Sequence, residues 1–317
     1  MRSGCGLWFP VAHLNKREYN VREIIRNRGS IMIIDAHSHI FPDNIAKAVL
    51  KKLQAGSNAG IFCEATEKAL TASMAQAGID LCINLPCNTN PATVGQINRL
   101  SARRNSRQKK IFSIGCIHPD CPDVKAELAL AARLGLKAVK IHPYFQNHDF
   151  DDPAYLRLME AAGELGLIVV AHTGTDPGYP GLYRCTTAMI ANVLKTLPDV
   201  KMVLAHMGGC GNWHDVLEVV AGSKVILDCA YSLGFSLDME GKPMPGIPRL
   251  LTEERFMEMV NVLGPERILF GTDSPWTDQR HSLEQFLSLP LSPEARERIL
   301  YQNALDLYNL QSWLEEE

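Results

Sequence analysis

Eight short apolar runs separated by helix-patterned stretches constrain this chain more than any other feature. The runs are IMIID (31–35), IDLCINL (79–85), IFSIGC (111–116), LKAVKIH (136–142), LIVVAH (167–172), KMVLAH (201–206), KVILDCA (224–230) and RILFGTD (267–273). Their hydrophobicity is continuous rather than alternating, which marks strands covered on both faces and therefore a parallel sheet with helical crossovers. Between them, EATEKALTASMAQAG, DVKAELALAARLG, AYLRLMEAAGELG and TEERFMEMVNVLG repeat apolar residues at three and four and close on glycine, as helices do. Eight such units over about 250 residues predict an α/β fold of the closed (β/α)8 TIM-barrel kind rather than an open doubly wound sheet. No GxGxxG or GxxxxGK follows a run, so the usual dinucleotide and P-loop signatures are missing.

Composition narrows the function classes. The chain has 317 residues, is 46% hydrophobic and 21% charged, and carries a formal net charge of -3, enough to bury a sizeable core. Without a basic stripe it is not expected to bind nucleic acid or a membrane surface, and it has no run of about 18 apolar residues that would predict a membrane span. Its nine cysteines are odd in number, lack CxxC spacing and sit partly inside apolar runs, which predicts reduced, buried thiols in a cytoplasmic protein. The expected partner is a small-molecule substrate, with a homodimer left open. Residues 1–30 are rich in Lys and Arg and have no apolar core of a secretory signal; they read as an extension from an upstream start codon or as a surface arm. Residues 31–317 read as one domain, the tail SPEARERILYQNALDLYNL packing on it as helix.

The chemistry lies where the runs end. The first ends in Asp35, His37 and His39, the fourth in Lys140 and His142, the fifth in His172, the sixth in His206 and the eighth in Asp273. In a parallel barrel all these ends open on one rim, and period-two alternation gives His37 and His39 one direction and Lys140 and His142 another shared one. Imidazoles and a carboxylate are the ligands of a divalent cation that accepts nitrogen and oxygen, so the set predicts a metal site. His118, His148 and His214 read as structural histidines.

DAHSHIFP, GLKAVKIHP, VVAHTG, VLAHMGG and FGTDSPW, in that order, resemble the amidohydrolase superfamily, in particular its amidohydrolase-related branch of hydrolases and aromatic-acid decarboxylases, over most of residues 31–310. The resemblance implies that His37, His39, His172 and Asp273 ligate a catalytic divalent metal. It makes His206 a ligand of a second metal or a catalytic histidine beside the first, and it leaves Lys140 as a possible carboxylated bridge between two metals. Zinc is the expected ion, one or two of them, with manganese or iron(II) as alternatives.

A cation held by imidazoles and one carboxylate lowers the pKa of a bound water toward roughly 7 and polarises a substrate oxygen. Asp273 is expected to accept and return the proton, His206 to stabilise a developing oxyanion, and Asp35, taken to lie one layer below His37 and His39, to orient a ligand imidazole. The Gly- and Pro-rich segment HTGTDPGYPGLYRCTT should form a loop over the mouth, carrying Tyr179, Tyr183 and Arg184, the last able to clamp a carboxylate. His142, Tyr144 and Trp276 are further candidates for substrate contact. The first expectation is hydrolysis of a C–N or C–O bond in an amide, cyclic amide or lactone; the alternative is nonoxidative decarboxylation, or hydration, of a small carboxylic acid.

Overall fold

The computed structural model describes residues 32–57, 60–211, 213–234 and 250–316; the extension read over residues 1–30 lies outside them. Among the described residues, strand and helix alternate as β1 (Ile34–Ser38), α1 (Asp43–Ser57), α2 (Glu67–Ala77), β2 (Leu81–Asn84), α3 (Val94–Arg107), β3 (Ile111–Ser113), β4 (Gly115–Cys116), α4 (Val124–Arg133), β5 (Ala138–Ile141), α5 (Pro143–Gln146), α6 (Pro153–Glu164) and β6 (Ile168–Ala171). They continue as α7 (Thr187–Thr196), β7 (Met202–Leu204), α8 (Val216–Val220), β8 (Ile226–Asp228), α9 (Glu253–Leu263), β9 (Ile268–Leu269) and α10 (Gln279–Leu287), followed by short helical segments to Glu315. β3 and β4 are two halves of the single run IFSIGC, so each of the eight apolar runs contributes strand.

Every strand pair is parallel and each strand pairs with its neighbours in sequence, β1 to β3 in one sheet and β4 to β9 in another. The two sheets meet at both ends. Ile114 N–H donates to Asn84 O at 3.1 Å, beside the break between β3 and β4, while Ala36 N–H donates to Phe270 O at 2.8 Å and Asp273 N–H to His37 O at 2.8 Å. The first strand is thus bonded to the segment that follows the last.

Alternation sorts side chains into two apolar layers. Leu81, Ile83, Ala138, Ile168, Val170, Val203 and Leu269 form the inner cluster, with Tyr308 and Trp313 of the tail packed beneath it. Cys82, Val139, Ile141, Val169, Ala171, Met202 and Leu204 face the helices instead. The helix signals lie where the sequence puts them: Thr66 caps α2, its Oγ1 accepting from Ala69 N at 3.2 Å, and Gly78 ends the helix at φ 74°, a conformation that side chains with a Cβ rarely adopt. No described helix is long and apolar enough to cross a membrane.

Candidate active site

Two imidazoles on β1 and the loop after it point their Nε2 atoms at each other. His37 donates from Nδ1 to Asp228 Oδ2 at 2.9 Å, and His39 donates from Nδ1 to Leu85 O at 2.8 Å. Those bonds turn the Nε2 edge of each ring toward the cavity. The two Nε2 atoms are 3.2 Å apart, and Asp273 Oδ1 lies 3.0 Å from that of His39 and 3.4 Å from that of His37. Burial and the charge of Lys140 hold His37 well below the usual imidazole range, whereas for His39 burial is outweighed by Cys87 and the hydrogen bond with Asp273, which push it up to about 10. Without an ion the His39 Nε2–H donates to Asp273 Oδ1; with that proton displaced, two imidazole nitrogens and a carboxylate oxygen converge on one point and fit a cation.

The same logic recurs a few ångströms away. His206 donates from Nδ1 to Ala230 O at 2.9 Å, and His172 donates from Nε2 to Thr175 O at 3.1 Å. His206 Nε2 then faces His172 Nδ1 at 3.0 Å, lone pair to lone pair, which requires a shared proton or a cation. Burial, His206 and Lys140 together push His172 well below its usual range. Lys140 itself is 2% exposed and its Nζ has no hydrogen-bond partner among the described residues. Burial lowers its pKa, and its charge acts on both His37 and His172. An orphaned buried amine lining the same cavity as two sets of converging ligand atoms fits a site that takes an anion beside them.

The backbone is strained at two of these residues. His206 has φ 59° and Asp273 φ 67°, left-handed conformations that cost about 1–2 kcal/mol for a residue with a Cβ. Hydrogen bonds from His206 N to Asp228 Oδ1 at 3.0 Å and from Asp273 N to His37 O at 2.8 Å hold them there. Burial pushes the Asp273 carboxyl up, but the hydrogen bond from His39 and the neighbouring imidazoles outweigh it and leave its pKa lowered.

Asp35 does not orient an imidazole. The register of β1 on β2 shifts between Asp35 and Ser38, so simple alternation from Asp35 to His37 fails, and Asp35 turns toward Cys82 and α10. Its carboxylate accepts from His37 N (3.1 Å), Thr272 N (2.9 Å), Thr272 Oγ1 (2.6 Å) and Gln279 Nε2 (2.7 Å), fixing the backbone beside His37 and Asp273. The residue that orients imidazole is Asp228, which is not among the candidates drawn from the sequence. The signal was a lone aspartate inside the apolar run KVILDCA, as Asp35 is in the first run.

A cavity of about 560 Å³ opens over these groups, lined at this end by His37, His39, Lys140, His142, His172, His206 and Asp273, and further out by Tyr179 and Trp276. His142 stacks on His172 at 4.1 Å and on Phe145 at 3.7 Å, with its Nε2 3.6 Å from Asp176 Oδ2. Tyr144 lies behind the wall, buried, its hydroxyl donating to Gly174 O at 2.8 Å. Arg184 does not line the cavity: its guanidinium is bonded to Asp149 at 3.0 Å and to Asn147, the surface pairing that leaves no clamp for a substrate. Asp176, from the segment TDPGYP, and Cys87 line the cavity and were not anticipated. His118, His148 and His214 stand outside it, beside Asp120, Asp152 and Asp215.

Solved structures share this fold. An uncharacterized TIM-barrel protein from Bordetella bronchiseptica is 21% identical, with TM-score 0.66 over 89% of this chain and 99% of its own. A 5-carboxyvanillate decarboxylase from Novosphingobium aromaticivorans, complexed with manganese and 4-hydroxy-3-methoxy-5-nitrobenzoic acid, is 13% identical, with TM-score 0.66 over 88% and 96%. A 2,6-dihydroxybenzoate decarboxylase from Rhizobium is 14% identical, with TM-score 0.62 over 88% and 99%. At these identities the likeness is one of fold, an α/β architecture related to the (β/α)8 barrel. No curated protein matches the chain in sequence. Residues 34–310 match the family described as amidohydrolase, and the chain is an enzyme that belongs to it.

Proposed function

We propose that this enzyme is a divalent-metal-dependent nonoxidative decarboxylase of a small aromatic carboxylic acid, built on a closed (β/α)8 barrel formed by residues 31–317. The observation that carries it is the orphaned Nζ of Lys140, a buried cationic donor facing the cavity beside converging imidazoles, which suits a bound carboxylate. The decarboxylases that share the fold favour this reading over the hydrolysis of an amide or lactone. His37, His39 and Asp273 would hold one ion, and His172 and His206 would hold a second or share a proton. Nitrogen and oxygen donors admit zinc, and manganese equally. Such an ion supplies positive charge that polarises substrate oxygens.

The chain's own groups do the rest. Lys140 orients the substrate carboxylate, and the stacked His142 and Phe145 with Tyr179 pack on the ring and exclude water. Asp273, kept ionised in the resting site, takes the proton of a substrate hydroxyl and passes it to the ring carbon that bears the carboxylate. The C–C bond then breaks, its electron pair restores the aromatic ring, and CO2 leaves. His206 stabilises charge that develops on the substrate oxygen. Lys140 could instead be carboxylated and bridge two ions, which mass spectrometry of the intact protein distinguishes. The free cysteines, most of them buried, support a reducing, cytoplasmic setting.

Hydrolysis of a C–N or C–O bond is the second reading, favoured by the family itself; there Asp273 deprotonates the attacking water. The deciding experiment incubates the metal-loaded protein with hydroxybenzoic acids, following CO2, and in parallel with lactones, cyclic amides and N-acyl compounds, following product acid. CO2 release without hydrolysis supports the decarboxylase; the converse overturns it.

A further inference from the structure

The cavity is much larger than its reactive end requires. Roughly 150 Å³ accommodates one benzene ring in a protein interior, whereas this cavity measures about 560 Å³. The surplus lies between α1 and α3, walled by Ile45, Val49 and Leu53 on one helix and by Ile97 and Leu100 on the other, with Phe41 also lining it. Ile45 is 42% exposed, an apolar side chain left facing this space. The two acids that line the cavity, Asp176 and Asp273, both stand at the histidine end.

Among the polar side chains along the lobe, Asn88, Asn90, Thr93 and Arg104 are already engaged. Asn88 Nδ2 donates to Thr93 Oγ1 at 3.1 Å, Thr93 Oγ1 donates to Asn90 O at 2.9 Å, and Asn90 Oδ1 accepts from Ala92 N at 3.1 Å. Arg104 at the floor spends its Nε on Glu67 at 3.2 Å and its Nη1 on Ser113 Oγ at 3.0 Å. What the lobe offers a ligand is therefore apolar contact with few free donors.

We infer that the substrate carries an uncharged apolar substituent, such as an alkyl or aryl tail, that lies between α1 and α3 while its carboxylate sits at Lys140. The inference rests on the carboxylic-acid reading for which end is the head. Because the lobe is continuous with the reactive end, a tail reaches it without leaving the cavity, and each methylene buried there is removed from water.

The test is a binding series with the purified full-length protein, using 4-alkylbenzoates from methyl to butyl and measuring dissociation constants by calorimetry. Affinity should rise about fourfold per methylene, about fiftyfold across the three added methylenes. In Leu100→Trp, whose indole fills the lobe, and in Ile97→Ser, which makes its wall polar, the butyl-to-methyl affinity ratio should fall close to one. A 4-(carboxypropyl)benzoate should bind less tightly than the butyl compound; tighter binding would mean that exposed Lys52 at the lobe reads an anion, and the uncharged class would be wrong. A flat series in the unsubstituted protein, or an unchanged ratio in both variants, also overturns the inference. Binding is read without turnover, so a rising series with no CO2 release from the hydroxybenzoic acids would leave the lobe standing and remove the decarboxylase, while CO2 release from them with a flat series would do the reverse.

Discussion

His37 and Asp228 are 191 residues apart and share a 2.9 Å hydrogen bond in which the imidazole Nδ1–H donates to the carboxylate. The other oxygen of Asp228 accepts from His206 N at 3.0 Å and Ala230 N at 3.1 Å. One buried carboxylate thereby ties the ends of three apolar runs and turns His37 Nε2 toward His39 and Asp273. Replacing a group that orients a metal-ligating imidazole typically weakens the metal 10–100-fold. Asp228→Asn is expected to lose affinity for the proposed ion within that range, as measured by competition with a chelator, and unchanged affinity would remove its orienting role.

His37 and His39 supply two of the three converging ligand atoms. Either alanine substitution should empty the first ion site or cut activity at least about a hundredfold, while thermal unfolding stays cooperative because the two apolar layers do not include these rings. Elemental analysis decides it. A His37→Ala, His39→Ala double variant with full metal stoichiometry would rule out their joint role.

Gly174 is positioned where no side chain fits. Its φ is 83°, and a Cβ would fall 2.1 Å from Cys210 N and 2.4 Å from Gly209 C, where the loops after β6 and β7 are bridged and Thr175 N–H donates to Cys210 O at 2.8 Å. Gly174→Ala should separate those loops, destabilise the protein by about 2–4 kcal/mol and spread His172 from His206. The denaturation midpoint reads the first effect and metal content the second; a variant unchanged in both would show that the loops yield freely.

Much of this was legible in the sequence because it depends on short-range rules. Eight short apolar runs, five of them ending in groups with ligand chemistry, give a parallel α/β arrangement and one common rim, and His37, His39, Lys140, His142, His172, His206 and Asp273 all meet in one cavity. Asp35 was misplaced because a register shift in β1 interrupts the alternation on which its placement relied, and such a shift has no local sequence mark. Asp228 was missed because its role is created by a partner 191 residues away. Arg184 was drawn toward the mouth by its loop, but loop position does not decide whether a side chain turns inward or finds Asp149.

Asp176 gives a pH dependence of known sign. Burial raises its carboxyl from 3.8 to about 6, so folding favours its protonated form. The stability this contributes is complete below the unfolded value near 3.8 and is lost as pH rises through about 6, a swing of roughly 3 kcal/mol at most. The difference in unfolding free energy between the metal-free protein and its Asp176→Asn variant should therefore move in the variant's favour between pH 4 and 7. A difference independent of pH over that interval would place the carboxyl in ordinary solvent.

Asp273 is asked both to ligate and to move a proton. Its Oδ1 lies 3.0 Å from His39 Nε2 and 3.4 Å from His37 Nε2, and its ionised form is favoured against burial by those imidazoles. An asparagine keeps an oxygen for an ion but has a negligible tendency to take a proton. Asp273→Asn should therefore retain much of the metal and lose about three or more orders of magnitude in the chemical step. The loss is expected in decarboxylation, where the group carries a proton to carbon, and equally in hydrolysis, where it takes one from water, so the variant tests the site without presuming the reaction. Single-turnover kinetics on the best substrate, with metal measured on the same sample, separate the two roles. Loss of metal together with activity would leave Asp273 as a ligand alone, and turnover at the unsubstituted rate would mean that another group, with His206 the nearest candidate by chemistry, carries the proton.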